Sequence, residues 1–194
     1  MGAPLYLLRS HFEKGSLPIM PSFRFPRLVW LLACVLAVAS CAADQDITPP
    51  FYQSMARVDA EVDAATAAQM ISHYRSNNGL PPVTADPVLS RLAREQAVAM
   101  ARAGTVRTSL ASERQLNRRM AEIGQANVPA VENVSAGYHT IAEAFSGWRE
   151  SPQHNKVMLN AEATRLGIAT AYAPGSKHRV FWALIMAGPA APVQ

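Results

Sequence analysis

The C-terminal third of the chain contains two segments that predict adjacent strands of a sheet. Residues 165–172 (RLGIATAY) alternate, whereas residues 179–187 (RVFWALIMA) are apolar on both faces, as in a central strand. Pro174, Gly175 and Ser176 lie between them and favour a turn, so the two segments are predicted to pair as a hairpin. One face of the first strand consists of Leu166, Ile168, Thr170 and Tyr172.

Helical patterns precede these strands. A first helix is predicted from about Asp63 to Ser76, because apolar residues recur there at helical spacing. Asp86 and Pro87 predict the N-cap and first residue of a second helix, which Gly104 ends. The predicted buried face of that helix consists of Leu89, Leu92, Ala93, Gln96, Ala97 and Met100.

The middle of the chain predicts alternating short elements. A third helix is predicted over Glu113–Ile123, a short strand over Val131–Ala136, and further helices starting at Thr140 and at Ser151-Pro152. The third helix has an apolar stripe of Leu116, Met120 and Ile123, and a predicted solvent side of Arg114, Arg118 and Arg119. This order of elements predicts a sheet flanked by helices, in an α+β or αβα sandwich.

The N-terminus predicts export. Residues 28–40 (LVWLLACVLAVAS) are uncharged and mostly apolar, follow Arg24 and Arg27, and are short for a membrane-spanning helix, as in a secretory signal. The run ends in VAS followed by Cys41, which resembles the lipobox of bacterial lipoproteins, in which the Cys is acylated. An ordinary signal cut after Ser40, or an uncleaved anchor, is the alternative, and Met20 is an alternative start.

These features divide the chain into a leader (1–41), a tether (42–60), a folded domain (61–190) and a short tail (191–194). The formal net charge is +4, but the leader holds +3 of it, so the rest of the chain carries +1. That balance argues against nucleic-acid binding, which needs a basic patch on the folded domain.

Residues 132–160 contain the best candidate site. Glu132 lies among apolar neighbours on a predicted strand, where a carboxylate is costly to bury unless it is paired, so it points either to solvent or into a polar cleft. His154 lies in the first turn of a helix, where the dipole favours the neutral imidazole that can bind metals or act as a base. Local packing or capping is the plainer interpretation of His154. Glu150, at a helix end, is a second candidate carboxylate.

Five blocks, in this order and spacing, resemble the CAP superfamily (cysteine-rich secretory proteins, antigen 5 and pathogenesis-related proteins), and especially its small bacterial SCP-domain members. The blocks are NNGLPPVTADPVLSRLAREQAVAMA, VENVSAG, AFSGWRESPQHNKVMLN, TRLGIATAYA and VFWALIMAGP. The resemblance covers residues 67–189. It implies a three-layer αβα sandwich with a central, mainly antiparallel sheet and a cleft lined by His and Glu residues, which bind divalent metal in some members.

The resemblance also implies roles for individual residues. Glu132 matches the Glu of the family's E-N pair, with Asn133 supporting it from the same strand, and His154 matches the His of the W-x-x-S-P-x-H motif, with Trp148 and Ser151 as its companions.

The chain departs from the family pattern on the other side of the expected cleft. Thr108 or Ser109 stands where many members have a His, and the last strand contains no His. Zinc sites use three or four protein ligands, and here only Glu132 and His154 are candidates. We therefore expect no cofactor beyond, at most, a divalent metal (Zn or Mg) bound weakly by these two residues.

Three functional hypotheses follow. The first is a protein that is attached to the bacterial envelope by a lipid on Cys41, on its periplasmic or cell-surface side, and binds a lipid, glycan or protein partner through its cleft. The second is a peptidase-like hydrolase, with Glu132 as general base and His154 as electrophile or metal ligand. The third is a purely structural envelope protein.

Overall fold

The structure is a computed structural model that describes residues 48–190. The predicted leader with Cys41, the first part of the tether (42–47) and the last four residues lie outside the described residues. Within residues 48–190, no helix has both the length and the apolar character needed to cross a membrane.

Five α-helices and four strands make up the described domain. The helices are α1 (Ala64–Ser76), α2 (Pro87–Ala103), α3 (Leu116–Glu122), α4 (Ile141–Glu150) and α5 (Pro152–Met158). The strands are β1 (Thr84–Ala85), β2 (Ala130–Ala136), β3 (Arg165–Tyr172) and β4 (Val180–Ala187). Short 3₁₀-helices occupy Pro50–Tyr52, Val106–Leu110 and Ser112–Arg114.

The sheet has the order β1-β3-β4-β2, and only the β1–β3 pair is parallel. Every residue of β4 is buried, and its side chains alternate between two apolar clusters. Trp182 and Leu184 pack with α1 and α4, whereas Phe181 and Ile185 pack with α2 and α3. The predicted hairpin, the central strand and the αβα sandwich are therefore confirmed.

The helix signals in the sequence are confirmed where they depend on local chemistry. Asp63 caps α1, and the Asp86 carboxylate accepts hydrogen bonds from the N–H groups of Val88 and Leu89 at the start of α2. Gly104 ends α2 in the left-handed region with φ = 67°. All six residues of the predicted face of α2 are buried, including Gln96, whose side-chain amide has no hydrogen-bond partner among the described residues.

Two predictions of extent need correction. The predicted third helix is shorter, because Ser112–Arg114 forms a 3₁₀ turn and α3 begins only at Leu116. The described part of the predicted tether also packs on the domain: Met55 and Ala60 are buried in the cluster with α1 and α4. The Met55 N–H donates to the carbonyl of His139 over 2.7 Å, so the packed domain begins before residue 61.

A buried arginine ties α1 to α5 and to the segment before β3. Arg75 is 0% exposed, and within residues 48–190 its guanidinium donates only to main-chain carbonyls. The acceptors are Pro81 (2.9 Å), Met158 (2.8 Å), Asn160 (2.8 Å) and Ala163 (3.1 Å). Because two of them lie at the C-terminal end of α5, the negative end of that helix dipole compensates part of the buried charge.

Arg75→Met should lower the free energy of unfolding by about 3–5 kcal/mol, because it leaves four carbonyls without their donor. Urea denaturation followed by circular dichroism measures the change. His73→Ala, at an exposed position on the same helix, is the control and should stay within about 0.5 kcal/mol of the wild type. Equal stability of the Arg75 and His73 variants would contradict this role.

Candidate functional site

Glu132 lies in the middle of β2, the outermost strand on one side of the sheet. It is opposite Ile185 of β4, and residues opposite each other on paired strands share a face. Since Ile185 packs with α2 and α3, the Glu132 side chain is on that face of the sheet. The prediction that Glu132 lies on a short strand is therefore confirmed.

The partner of Glu132 is Arg119 of α3. The Nη2 atom of Arg119 is 2.7 Å from both Oε1 and Oε2 of Glu132, and the two side chains are only 2% and 12% exposed. The remaining guanidinium nitrogens donate to the carbonyls of Arg114 (Nε, 3.0 Å) and Leu92 (Nη1, 3.3 Å). Arg119 therefore joins α3, α2 and β2 on one face of the sheet.

The electrostatics of Glu132 follow from its burial. Burial raises the pKa of the Glu132 carboxyl above its ordinary value, and the charge and hydrogen bonds of Arg119 offset only part of that rise. Arg119 therefore favours the ionised form of Glu132, whereas burial disfavours it.

The prediction that Arg119 belongs to the solvent side of α3 is wrong. Arg119 is 1% exposed, whereas Arg118 beside it is exposed and forms only a loose pair with Glu122 at 3.7 Å. The spacing contains a signal for this difference, because Arg119 stands three residues after Leu116 and so shares its side of the helix. Among three arginines close together in the sequence, only that spacing marks the buried one.

Asn133 does not support Glu132 in the way that the resemblance implied. Successive side chains of a strand point to opposite faces, and Asn133 lies on the face with α4 and α5. It is 1% exposed, and its Nδ2 donates to the main-chain carbonyl of His154 over 2.9 Å. Asn133 thus fixes α5 against β2.

His154 is half-buried on α5, and its imidazole makes no hydrogen bond or ion pair with another described residue. Its main chain is tied to β2 through Asn133, so its backbone position is fixed while its ring is uncommitted. Ser151 occupies the N-cap position of α5 as predicted, but its side chain makes no capping hydrogen bond. The structure does not join Glu132 and His154 by a direct contact.

Trp148 is a core residue. It is 1% exposed, its Nε1 donates to Ser135 Oγ over 3.0 Å, and its ring meets Trp182 edge to face with centroids 6.2 Å apart. A side chain buried in this way packs α4 against β2 and β4 and is not open to a ligand. Glu150 is exposed at the end of α4, away from any described ion-pair partner.

The segment with Thr108 and Ser109 forms the 3₁₀-helix Val106–Leu110, which contacts β2. Ser109 Oγ donates to the Val106 carbonyl over 2.8 Å, so its hydroxyl serves its own turn. Among the described residues no group of three or more His, Cys, Asp or Glu side chains is arranged to hold a metal ion. Glu132 is a poor fit to a divalent metal for a separate reason: a guanidinium already contacts both of its oxygens.

We expect Arg119→Met to lower the free energy of unfolding by about 3–5 kcal/mol, because it leaves the buried Glu132 carboxylate without its counter-charge. Adding Glu132→Leu to that variant should restore most of the loss, since no unpaired charge then remains. Urea titrations of both variants test this, with Arg118→Met as the matched control on the same helix. An Arg119→Met protein as stable as the Arg118→Met protein would show that the pair contributes little.

Comparison with known proteins agrees with this fold. Residues 68–186 match the family described as CAP, the cysteine-rich secretory protein family. No curated protein matches the chain in a sequence search.

Three solved bacterial structures are similar to it. An outer surface protein of Borrelia burgdorferi has a TM-score of 0.56 at 15% identity, with 66% of this chain and 97% of that protein covered. A cysteine-rich secretory protein of Staphylococcus aureus has a TM-score of 0.52 at 14% identity, covering 69% of this chain and 40% of that one. An extracellular SCP-domain protein of Bacillus anthracis has a TM-score of 0.53 at 22% identity, covering 64% and 39%.

This chain therefore spans about two fifths of the staphylococcal and Bacillus proteins and nearly all of the Borrelia protein. At these identities the likeness shows the fold, and the family match covers more than half of the chain. The resemblance predicted from the five sequence blocks is confirmed: the chain belongs to the CAP family.

Proposed function

We propose that this CAP-domain protein is exported, anchored to the bacterial envelope by a lipid on Cys41, and binds a lipid, glycan or protein partner. The leader and the VAS-Cys sequence support export and anchoring. The similar structures, which are an outer surface protein, a secretory protein and an extracellular protein, also support export.

The hydrogen bonds and the burial of Glu132 are the observation that favours binding over hydrolysis. A general base must be free to take a proton from its substrate, and it must lie within hydrogen-bond reach of that proton. Both oxygens of Glu132 instead accept hydrogen bonds from Arg119, within a side-chain pair that is largely buried. This arrangement suits a residue that holds β2, α2 and α3 together through Arg119.

The proposed binding surface lies along β2, between α5 and the 3₁₀-helix Val106–Leu110, both of which contact this strand. His154 supplies an uncommitted imidazole on the α5 side. Leu110 at the end of the 3₁₀-helix is 71% exposed, one of the few large apolar side chains open to solvent among the described residues. An aromatic nitrogen donor or acceptor and an exposed apolar side chain suit an amphipathic ligand.

Cys41→Ser should abolish acylation of the N-terminal peptide, because the thiol is lost, and should release the protein from the membrane fraction wherever the leader is still cut. Fractionation of cells that express the full chain, with mass spectrometry of the N-terminal peptide, measures both effects. Ser40→Ala keeps a small residue before Cys41 and serves as the control. Unmodified Cys41 in a wild-type protein that still sediments with membranes would mean that something other than lipid anchors it.

Native mass spectrometry of the purified protein with envelope lipid extract and soluble envelope glycans tests the binding function. The wild type should retain a ligand, and His154→Ala should lose about tenfold in affinity if the imidazole contacts that ligand. His73→Ala, a change of the same type at an exposed position on α1, should bind as the wild type does.

The same preparations distinguish the hydrolase hypothesis. Peptidase activity on envelope peptides that disappears in both Glu132→Gln and His154→Ala, with folding intact, would replace the binding proposal with the enzymatic one. Retention of no lipid or glycan by the wild type, with or without Zn²⁺ or Mg²⁺, would also count against the proposal.

A further inference from the structure

A groove lies at the edge of the sheet opposite to β2. It has a volume of about 560 Å³, and its floor is formed by residues 168–170 of β3. One wall comes from Glu61, Val62 and Ala64, at and just before the start of α1, and the other from the first turns of α2. The groove therefore lies directly above the outer edge of β3, beyond the point where β1 ends.

Main-chain groups of β3 alternate in direction. The Ala173 N–H donates to the Arg179 carbonyl, so residues at odd positions in β3 form the hydrogen-bonded pairs with β4. The N–H and C=O groups of Ile168 and Thr170, at even positions, consequently point away from β4 and toward the groove.

β1 covers only the beginning of this outer edge. It pairs with Arg165 and Leu166, and the Asp86 N–H donates to the Leu166 carbonyl over 2.7 Å. Pro87 then starts α2, and the Asp86 carbonyl is used within that helix by the Ser90 N–H at 2.9 Å. The main-chain groups of Ile168 and Thr170 have no hydrogen-bond partner anywhere in residues 48–190.

Unpaired main-chain groups at such a position point to a ligand. Ile168 and Thr170 are each only 2% exposed, and buried N–H and C=O groups are nearly always paired, with protein or with ordered water. The main-chain groups of Ile168 and Thr170 lie two residues apart on the strand, so they repeat at about 6.6 Å. The hydrogen-bonding groups along one edge of a second extended chain repeat at the same distance. The helix α2 approaches this strand closely, because Gly167 lacks a side chain: a Cβ there would lie 2.1 Å from the Leu89 carbonyl carbon.

The rim of the groove favours a negative side chain. Arg91 of α2 is exposed and makes no ion pair with any residue in 48–190. Arg94, one turn further on, reaches Glu61 across the groove at 3.7 Å, and both side chains are largely exposed, so that contact is weak. Among residues 48–190, the groove is lined by one further carboxylate, Asp86, which is held by Arg165 at 2.5 Å.

We propose that this groove binds an extended peptide segment with an acidic side chain, which adds to the sheet as a strand beside β3. The peptide main chain pairs with the N–H and C=O groups of Ile168 and Thr170, in the position that β1 leaves open. Its carboxylate pairs with Arg91. This site is at the other edge of the sheet from β2, and the proposal does not depend on the function proposed for the surface along β2.

The test uses the full chain in detergent and a fluorescent heptapeptide of alternating Thr and Val with a central Asp. We expect saturable binding by anisotropy, with the largest amide chemical-shift changes at Ile168 and Thr170. The same peptide N-methylated at every residue should not bind, because neither of its edges can then donate a main-chain hydrogen bond. A peptide with Asn in place of Asp should bind about tenfold more weakly.

Thr170→Pro blocks the edge with little cost to the fold, since the N–H that it removes points into the groove and not toward β4. We expect it to weaken binding at least about tenfold. Arg91→Glu should weaken binding of the Asp peptide and leave the Asn peptide unaffected. Arg102→Glu, an exposed position near the other end of α2, is its matched control.

Several outcomes would overturn the proposal. One is the absence of saturable binding up to about 1 mM peptide; another is unchanged affinity in a folded Thr170→Pro protein. If Thr170→Pro does not fold, two other results would overturn the proposal. One is unchanged peptide affinity in Arg91→Glu, and the other is a set of amide chemical-shift changes confined to β2. A dimer that Thr170→Pro dissociates in sedimentation would assign the edge to a second copy of the chain instead.

Discussion

The fold depends on the burial of β4. All eight of its residues are buried, four against the layer of α1, α4 and α5 and four against the layer of α2 and α3. A strand that is apolar on both faces has no stable position at a surface, so helices must cover both sides of the sheet. Each layer then contains one buried guanidinium: Arg75 has only carbonyl acceptors, whereas Arg119 has two carbonyls and the Glu132 carboxylate. The first is compensated by helix and turn dipoles, the second by a formal charge.

The sequence predicted those features that depend on neighbours along the chain. The caps at Asp63 and Asp86, the turn at Gly104, the buried face of α2 and the hairpin of β3 and β4 all follow from local spacing. Two features depended on contacts between distant residues and were missed. Arg119 is buried because β2, which follows it in the chain, presents a carboxylate to it. Met55 is buried because it packs in the apolar cluster with α1 and α4, where its N–H also donates to the carbonyl of His139. The charge of Arg119 and the prolines that precede Met55 predict exposed residues. Only the tertiary contacts show that both residues are buried.

In the candidate site, too, contacts between distant residues decide what each side chain does. Glu132 and Asn133 are adjacent in a motif that suggests one site, yet the alternation of a strand sends them to opposite layers. Glu132 joins α3 through Arg119, and Asn133 joins α5 through the carbonyl of His154. The motif therefore clamps both helical layers to one edge strand. Its presence in the sequence is explained by architecture alone, so a function at this edge has to rest on the uncommitted groups around it, of which the His154 imidazole is one.

The two edges of the sheet differ in the contacts that they make. At β2 the strand is joined to its neighbouring helices by the Glu132–Arg119 side-chain pair and by the hydrogen bond from Asn133 to the main-chain carbonyl of His154. At β3 the covering strand β1 has only two residues, because the Asp86-Pro87 cap turns the chain into α2 immediately after it. The same capping chemistry that starts the longest helix of the domain therefore leaves the edge of β3 without a strand partner at Ile168 and Thr170. A longer β1 would pair those groups and close the groove, whereas the early helix start leaves them unpaired at the base of a groove of about 560 Å³.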